Sequence, residues 1–314
     1  MDQSLLDTMR VITLPTKTNF RGINVREVAL FKGEYGWGEF SPFLEYDYKE
    51  CATWLLCAIE AATKPRPKLY RNSVKVNGTI PAINDATTLE KIVNSFPGVD
   101  TFKVKVGDNL PEDIARLAKV RTLRPKATLR IDVNGTWSVQ EAITNLRAIY
   151  ESIGPLEYVE QPCATVEELR ELKEKLLVKI PIAGDEVLRK AADPFAVDLA
   201  GAIDVLMLKV QPLGGIARAH KLAEHHKLPV VVSSALESAV GINYGLQLAA
   251  SFPELNFDCG LGTGSLLAAN VAELPIVDGH IEITDVEPDF NGYEVAPERF
   301  EWWKNRVMKT AELL

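Results

Sequence analysis

Apolar and polar positions follow one grammar up to about residue 72 of this 314-residue chain and another beyond it. Residues 9–14 and 23–31 alternate with a period of two, as antiparallel strands do, and Gly33 and Gly36 mark a turn into Trp37-Gly38-Glu39-Phe40. Pro42 ends that run. Over residues 48–63, Cys51, Trp54, Leu55, Ala58 and Ile59 recur at helical spacing, and Pro65 and Pro67 close the segment. Strands followed by a helix predict an α+β unit over residues 1–73.

Beyond it, short apolar runs lie at 74–80, 101–106, 128–132, 156–160, 179–183, 204–209, 229–233 and 255–258, separated by amphipathic helical stretches such as 111–123 and 138–150. Ser138 with Glu141 three residues on is a capping signature for the second of these helices. Eight strand–helix units recurring roughly every 25 residues predict a closed parallel barrel over residues 74–285. An open doubly wound sheet is the alternative, but no Gly-x-Gly-x-x-Gly follows the first strand. The cluster Gly260-Leu261-Gly262-Thr263-Gly264 lacks the Lys-Ser/Thr of a phosphate loop and reads as a tight turn at the barrel rim. The tail, 286–314, carries Trp302 and Trp303 and is expected to pack back onto the first unit, since adjacent tryptophans are seldom left in water.

Composition narrows the function classes. A 46% hydrophobic chain of this length can bury a large core, and a formal charge of -8 argues against nucleic acid or an anionic membrane as partner. The four cysteines, Cys51, Cys57, Cys163 and Cys259, form no Cys-x-x-Cys pair, which suits a reducing compartment without a zinc site. Charged residues interrupt the first fifteen positions, and no run reaches the roughly 18 apolar residues of a membrane helix. A cytoplasmic location is expected.

The chemistry gathers at the predicted strand ends, where barrels of this kind carry their reactive groups. In Thr101–Val106, Lys103 and Lys105 share one strand face. Two neighbouring ammonium groups repel, which favours proton loss from one of them and so supplies a base near neutral pH. A solvated edge is the plainer explanation of that stretch by itself. The next three strands, however, end in Asp132, Glu160 and Asp185, and the one after them in Lys209. Converging carboxylates repel in a low-dielectric site, and a divalent cation relieves this. An all-oxygen set favours Mg²⁺ over zinc, with Mn²⁺ as the alternative. Asp132 alone would more commonly be a helix cap. Lysines on either side of a metal-bound carboxylate suit removal of an α proton to give an enediolate. Lys209 ends an otherwise apolar run, Val205–Leu208, which a surface residue would not need. The histidines (His220, His225, His226, His280) have no ligand or triad spacing, and Ser233-Ser234 lacks a nucleophile-elbow context.

This arrangement resembles the enolase superfamily, muconate-lactonising subgroup, across nearly the whole chain. Members of that superfamily use a lysine or histidine base with Mg²⁺. The resemblance implies a (β/α)₇β barrel capped by an α+β domain built from both chain ends. It implies Lys103 and Lys105 as the Lys-x-Lys pair, with Lys105 the base and Lys103 assisting it. It further implies Asp132, Glu160 and Asp185 as Mg²⁺ ligands, Lys209 on the opposite face, and a small carboxylate substrate. The short chain and the stretches Phe20-Arg21-Gly22-Ile23, Arg26-Glu27 and Gly36–Phe43 resemble the branch that dehydrates a succinyl-hydroxycyclohexadiene-carboxylate to an aromatic ring in menaquinone biosynthesis. Arg130, two before Asp132, either meets a substrate carboxylate or forms an internal salt bridge. Ser234, Glu237 and Leu261 are expected at the substrate pocket's rim, with a loop around 15–21 closing over it. An N-acylamino acid racemase or dipeptide epimerase would use the same lysines, and a Schiff-base aldolase would also suit a barrel lysine. A non-catalytic binding protein would leave the strand-end carboxylates and lysines without a purpose.

Overall fold

The computed structural model describes every residue except Met1, Arg21 and Asp108, and Phe20 by its backbone only. A short helix, α1 (Gln3–Asp7), which the sequence pattern does not predict, precedes the antiparallel strands β1 (Arg10–Phe20), β2 (Ile23–Gly33) and β3 (Gly36–Phe40). The expected loop at 15–21 is largely strand. β1 runs on through Phe20, which pairs with Ile23, and the register slips between Pro15 and Phe20; Arg21 lies outside the described residues. Helix α2 (Tyr48–Thr63) begins at a capping box formed by Asp47 and Glu50. It packs Trp54, Leu55 and Ala58 onto Val11, Ala29, Phe31 and Phe40 of the sheet. Gly38 permits this approach, because a Cβ there would collide with the Ala58 carbonyl. The opposite sheet face, Ile12, Leu14, Val28 and Leu30, joins the core of the barrel.

After β4 (Ser73–Lys75), the barrel begins with β5 (Gly78–Ile80). It continues through α3 (Ala86–Asn94), β6 (Thr101–Lys105), α4 (Leu110–Leu123), β7 (Thr128–Asp132), α5 (Val139–Ile153) and β8 (Tyr158–Glu160). Then come α6 (Val166–Lys175), β9 (Ile182–Gly184), α7 (Glu186–Arg189), β10 (Val205–Lys209), α8 (Val210–Leu213), α9 (Ile216–His226), β11 (Val230–Ser233) and α10 (Ala239–Ala250). Strands β5 to β11 form one seven-stranded sheet in chain order with parallel pairings. Cys259 and Gly260 complete the circle, bridging Val76 on one side and Ser233 on the other. The Asn77 N–H donates to the Cys259 carbonyl and the Gly260 N–H to the Val232 carbonyl, each at 2.8 Å. The eighth stave is therefore this pair, not the predicted run at 255–258. The Gly262–Leu266 stretch that follows is one 3₁₀ turn.

Period-two alternation decides what faces inward. Phe102, Val104, Leu129, Ile131, Val159, Leu206 and Leu208 lie in the main core with the residues of the surrounding helices. Their neighbours Tyr158, Val205, Met207 and Val231 form a separate inner cluster with Ala183. Above that cluster, the last inward position of several strands is polar.

Two carboxylates of the N-terminal unit fix it to the barrel. Glu39 of β3 accepts from the Ser238 hydroxyl at 2.5 Å and the Gly241 N–H at 2.9 Å, at the N-terminus of α10. Glu60 of α2 accepts from the Ile216 N–H at 2.5 Å, at the N-terminus of α9, and from the Tyr244 hydroxyl at 2.7 Å. Both contacts are charge-complementary to the helix ends they meet. After the barrel, β12 (His280–Glu282) pairs with β4, and α11 (Pro297–Ala311) lies on the N-terminal unit. Only half of the expected tryptophan pair is buried: Trp303 is 0% exposed and donates to Glu27 at 2.6 Å, whereas Trp302 is 40% exposed. Trp303→Ala is expected to cost about 3–5 kcal/mol, read as a shifted urea midpoint. Among the described residues no helix is long and apolar enough to cross a membrane.

Candidate active site

Adjacent strands hold Lys105, Asp132 and Glu160 in one row, since Lys105 pairs in register with Asp132 and Asp132 with Glu160. Asp185 follows the end of β9, and Lys209 ends β10, in register with Ser233. In an eight-stave barrel, β6 and β10 are four staves apart, so Lys105 and Lys209 approach from opposite sides. Two turns that carry the row have positive φ at non-glycine residues, Asn134 at 54° and Gln161 at 41°. Gln161 justifies its conformation by accepting from the Asp185 and Val187 N–H groups at 3.0 and 3.2 Å, which sets the turn bearing Asp185.

The charges interlock. Lys103 Nζ lies 2.6 Å from Glu160 Oε2 and 3.8 Å from Asp132, and Lys209 Nζ lies 2.6 Å from Asp185 Oδ2 and 3.9 Å from Glu160 Oε1. Arg189 bridges both Asp185 oxygens, at 3.0 and 3.1 Å, and reaches Glu186 at 2.5 Å. Lys105 stands 3.7 Å from Asp132, beyond hydrogen-bond reach; its nitrogen is buried and has no hydrogen-bond partner among the described residues. Burial pushes Glu160 up to about 7, and the neighbouring Asp132 charge adds to the effect. Burial also opposes ionisation of Asp132 and Asp185. There it is outweighed, for Asp132 by Lys105 and Lys103, and for Asp185 by Arg189 and Lys209, so both are lowered. Lys103 corrects the idea that the paired lysines weaken each other's charge. Burial would lower its pKa, but Glu160 and Asp132 outweigh burial and raise it. Lys103 is thus a held cation.

Among the described residues no three acidic or imidazole groups, as placed, close around a common point to hold an ion. Each of the three expected ligands is engaged by a lysine or an arginine instead. The donor set nevertheless fits a hard divalent cation. The cluster is all oxygen, Glu160 is strained toward the neutral form, and the buried Glu160 Oε1 and Glu186 Oε2 have no hydrogen-bond partner.

A cavity of about 480 Å³ opens above this cluster, lined by Lys103, Lys105, Asp132, Lys209, Ser233 and Ser234 from the barrel and by Asn19, Phe43, Tyr46 and Trp54 from the N-terminal unit. Ser234 is at the wall, its hydroxyl donating to the Gly260 carbonyl at 2.5 Å. Three expected contacts are corrected. Arg130 shares the inward face with Asp132 but lies one layer deeper, fully buried. It pairs with Glu157 at 2.5 Å, donates to Asn77 and the Asp258 carbonyl, and stacks 4.7 Å over Tyr158. Leu261 is 1% exposed and packs in the core against Gly245. Glu237 does not line the cavity and is fully buried, accepting from the Ala235 N–H at 2.6 Å while Oε1 has no partner among the described residues. Sequence reasoning missed Glu186, Arg189 and Lys190 and the wall Phe43, Tyr46 and Trp54. The i, i+3 spacing of Glu186 and Arg189 directly after Asp185 was a usable signal.

Burial, with the Glu39 charge adding to it, pushes Glu237 up to about 7. A raised carboxylate favours the folded state while protonated, so its contribution is full below about pH 4.5 and is lost as pH rises through about 7. The loss is on the order of 3 kcal/mol. Glu237→Gln should therefore gain stability relative to the parent protein between pH 5 and pH 8.5, read from urea midpoints. A difference independent of pH would contradict this.

Residues 89–291 match the family described as enolase C-terminal domain-like, and residues 11–62 the one described as enolase N-terminal domain-like. The o-succinylbenzoate synthase of Mycobacterium ulcerans (strain Agy99) is 48% identical over 99% of this chain and 95% of that protein. That of Mycobacterium leprae (strain TN) is 49% identical over 99% and 93%. Among solved structures, the L-Ala-D/L-Glu epimerase from Bacillus subtilis superposes with a TM-score of 0.73 at 21% identity, covering 91% of this chain and 98% of that one. The muconate lactonizing enzyme from Pseudomonas fluorescens does so with 0.71 at 20%, covering 94% and 97%. These last two show a shared fold.

Proposed function

Since the chain belongs to the enolase superfamily and, within it, to the o-succinylbenzoate synthases, we propose that Lys105 is the base of a Mg²⁺-dependent dehydration. The reaction converts 2-succinyl-6-hydroxy-2,4-cyclohexadiene-1-carboxylate to o-succinylbenzoate in menaquinone biosynthesis. One observation carries the assignment of the base: the Lys105 nitrogen is buried, without a hydrogen-bond partner, and faces Lys209 across the carboxylate cluster. Lys105 takes the proton alpha to the ring carboxylate. As an ammonium it then returns a proton to the departing hydroxyl on the same face, so that water leaves by syn elimination and the ring becomes aromatic. Lys209 lies on the other face and stabilises the negative charge that builds on the carboxylate. Lys103, held by Glu160, keeps a fixed positive charge under the site. Asp132, Glu160 and Asp185 would hold the Mg²⁺, which when bound supplies the positive charge that a doubly negative enediolate needs. The Phe43, Tyr46 and Trp54 wall shelters the reacting ring from water. A cytoplasmic location belongs to this reading and is supported by four buried, unpaired thiols.

A racemase would use Lys105 and Lys209 as two acid/bases. A comparison of two substrates separates the readings. Dehydration of the cyclohexadiene should run far faster than α-proton exchange of N-succinyl amino acids in deuterated water. Fast exchange with an untouched diene would overturn the dehydratase.

A further inference from the structure

Among the described residues, five cations line the catalytic cavity: Lys103, Lys105, Arg189, Lys190 and Lys209. Four of them stand against carboxylates. Among the described residues, Lys190 is the lining cation whose side chain meets neither a carboxylate nor a hydrogen-bonding partner, and it is exposed to the cavity side of the protein. It follows α7, so the turn that presents Asp185 also fixes the position of Lys190.

Lys190 stands at a boundary. A second chamber of about 300 Å³ adjoins the first and shares its Tyr46, Trp54, Arg189, Lys190 and Pro212 walls. That chamber also carries Lys49 and Arg218, while its carboxylate, Glu50, is occupied in capping Asp47 at 3.2 Å. The cavity thus has an acidic, cation-laced floor and, to one side, a basic wall faced with aromatic rings. A ligand that complements both ends has two carboxylates joined by an apolar spacer.

We propose that Lys190 binds the second carboxylate of a dicarboxylate substrate, the one at the end of its succinyl chain, with Tyr46 and Trp54 lining the path of the methylene groups. This rests on the dehydratase reading, which supplies such a substrate. Lys190 then sets specificity without touching the reacting atoms, and selects acids that carry a distal charge over acids that end in a methyl group.

Calorimetric titration tests it, in Mg²⁺, with o-succinylbenzoate and with 2-butanoylbenzoate, in which a methyl replaces the distal carboxylate. Lys190→Met should weaken o-succinylbenzoate about tenfold or more and leave 2-butanoylbenzoate within about twofold, and Lys190→Arg should retain most of the affinity. Equal weakening of both compounds, or unchanged binding of o-succinylbenzoate, would overturn the subsite and leave the dehydratase standing. A parent protein that binds neither compound would overturn the subsite together with the reading beneath it.

Discussion

Lys105→Ala is expected to lower kcat for dehydration by about 10⁴-fold or more while the protein melts within about 3 °C of the parent. Both halves follow from its surroundings. The Lys105 side chain is 33% exposed in the cavity and, among the described residues, takes part in a single ion pair, 3.7 Å from Asp132, so its loss removes little packing or pairing energy. Its nitrogen is buried with no hydrogen-bond partner, so nothing need be broken before it accepts a proton. One group removes the α proton and then assists the leaving hydroxyl, and losing it forfeits both steps. Lys105→Arg should be nearly as inactive, because a guanidinium remains protonated. The check is steady-state kinetics beside a thermal melt. More than about a tenth of the parent kcat in either variant would assign the base elsewhere.

Glu160→Gln should weaken Mg²⁺ binding by about 100-fold or more, judged by the Mg²⁺ concentration needed for half-maximal rate and by direct titration. Around the row, the carboxyl groups of Asp132, Glu160, Asp185 and Glu186 stand against Lys103, Lys105, Lys209 and Arg189. The amide keeps the volume of the carboxylate but removes one of the negative charges that attract a divalent cation. It also exchanges the carboxylate that Lys103 meets at 2.6 Å for a neutral acceptor. The variant should be rescued in part by high Mg²⁺, whereas Lys105→Ala should not respond to metal at all. Unchanged Mg²⁺ dependence in Glu160→Gln would remove Glu160 from the ligand set.

The barrel was legible because a parallel sheet buries its strands on both sides, leaving short apolar runs at a steady interval. Helix α2 was legible from its 3–4 spacing and bounding prolines. The eighth stave was misread because a two-residue bridge, Cys259–Gly260, is too short to carry a period, and the apolar residues beside it drew the assignment to 255–258. Among site residues, the strand ends singled out Lys103, Lys105, Asp132, Glu160 and Lys209, and the period of two placed Arg130 on the face of Asp132, but neither carries information about depth. Arg130 therefore looked equivalent to Asp132, although it sits a layer below in a salt bridge with Glu157. Leu261 and Glu237 lie on loops, where side-chain direction follows from tertiary packing rather than from spacing. Tyr46 and Trp54 reach the cavity because the N-terminal unit is seated on the barrel, with Glu39 and Glu60 meeting helices α10 and α9, a relation between segments about 150 to 200 residues apart that no local pattern expresses.

The loss of diene absorbance from 2-succinyl-6-hydroxy-2,4-cyclohexadiene-1-carboxylate, followed with Mg²⁺, after EDTA, and after Mg²⁺ is restored, tests the central claim most directly. Rapid loss that stops with EDTA and returns with the metal is the predicted result. Loss that continues unchanged after the metal is stripped, or no loss in a folded and metal-loaded sample, would contradict a metal-dependent dehydratase at this barrel mouth.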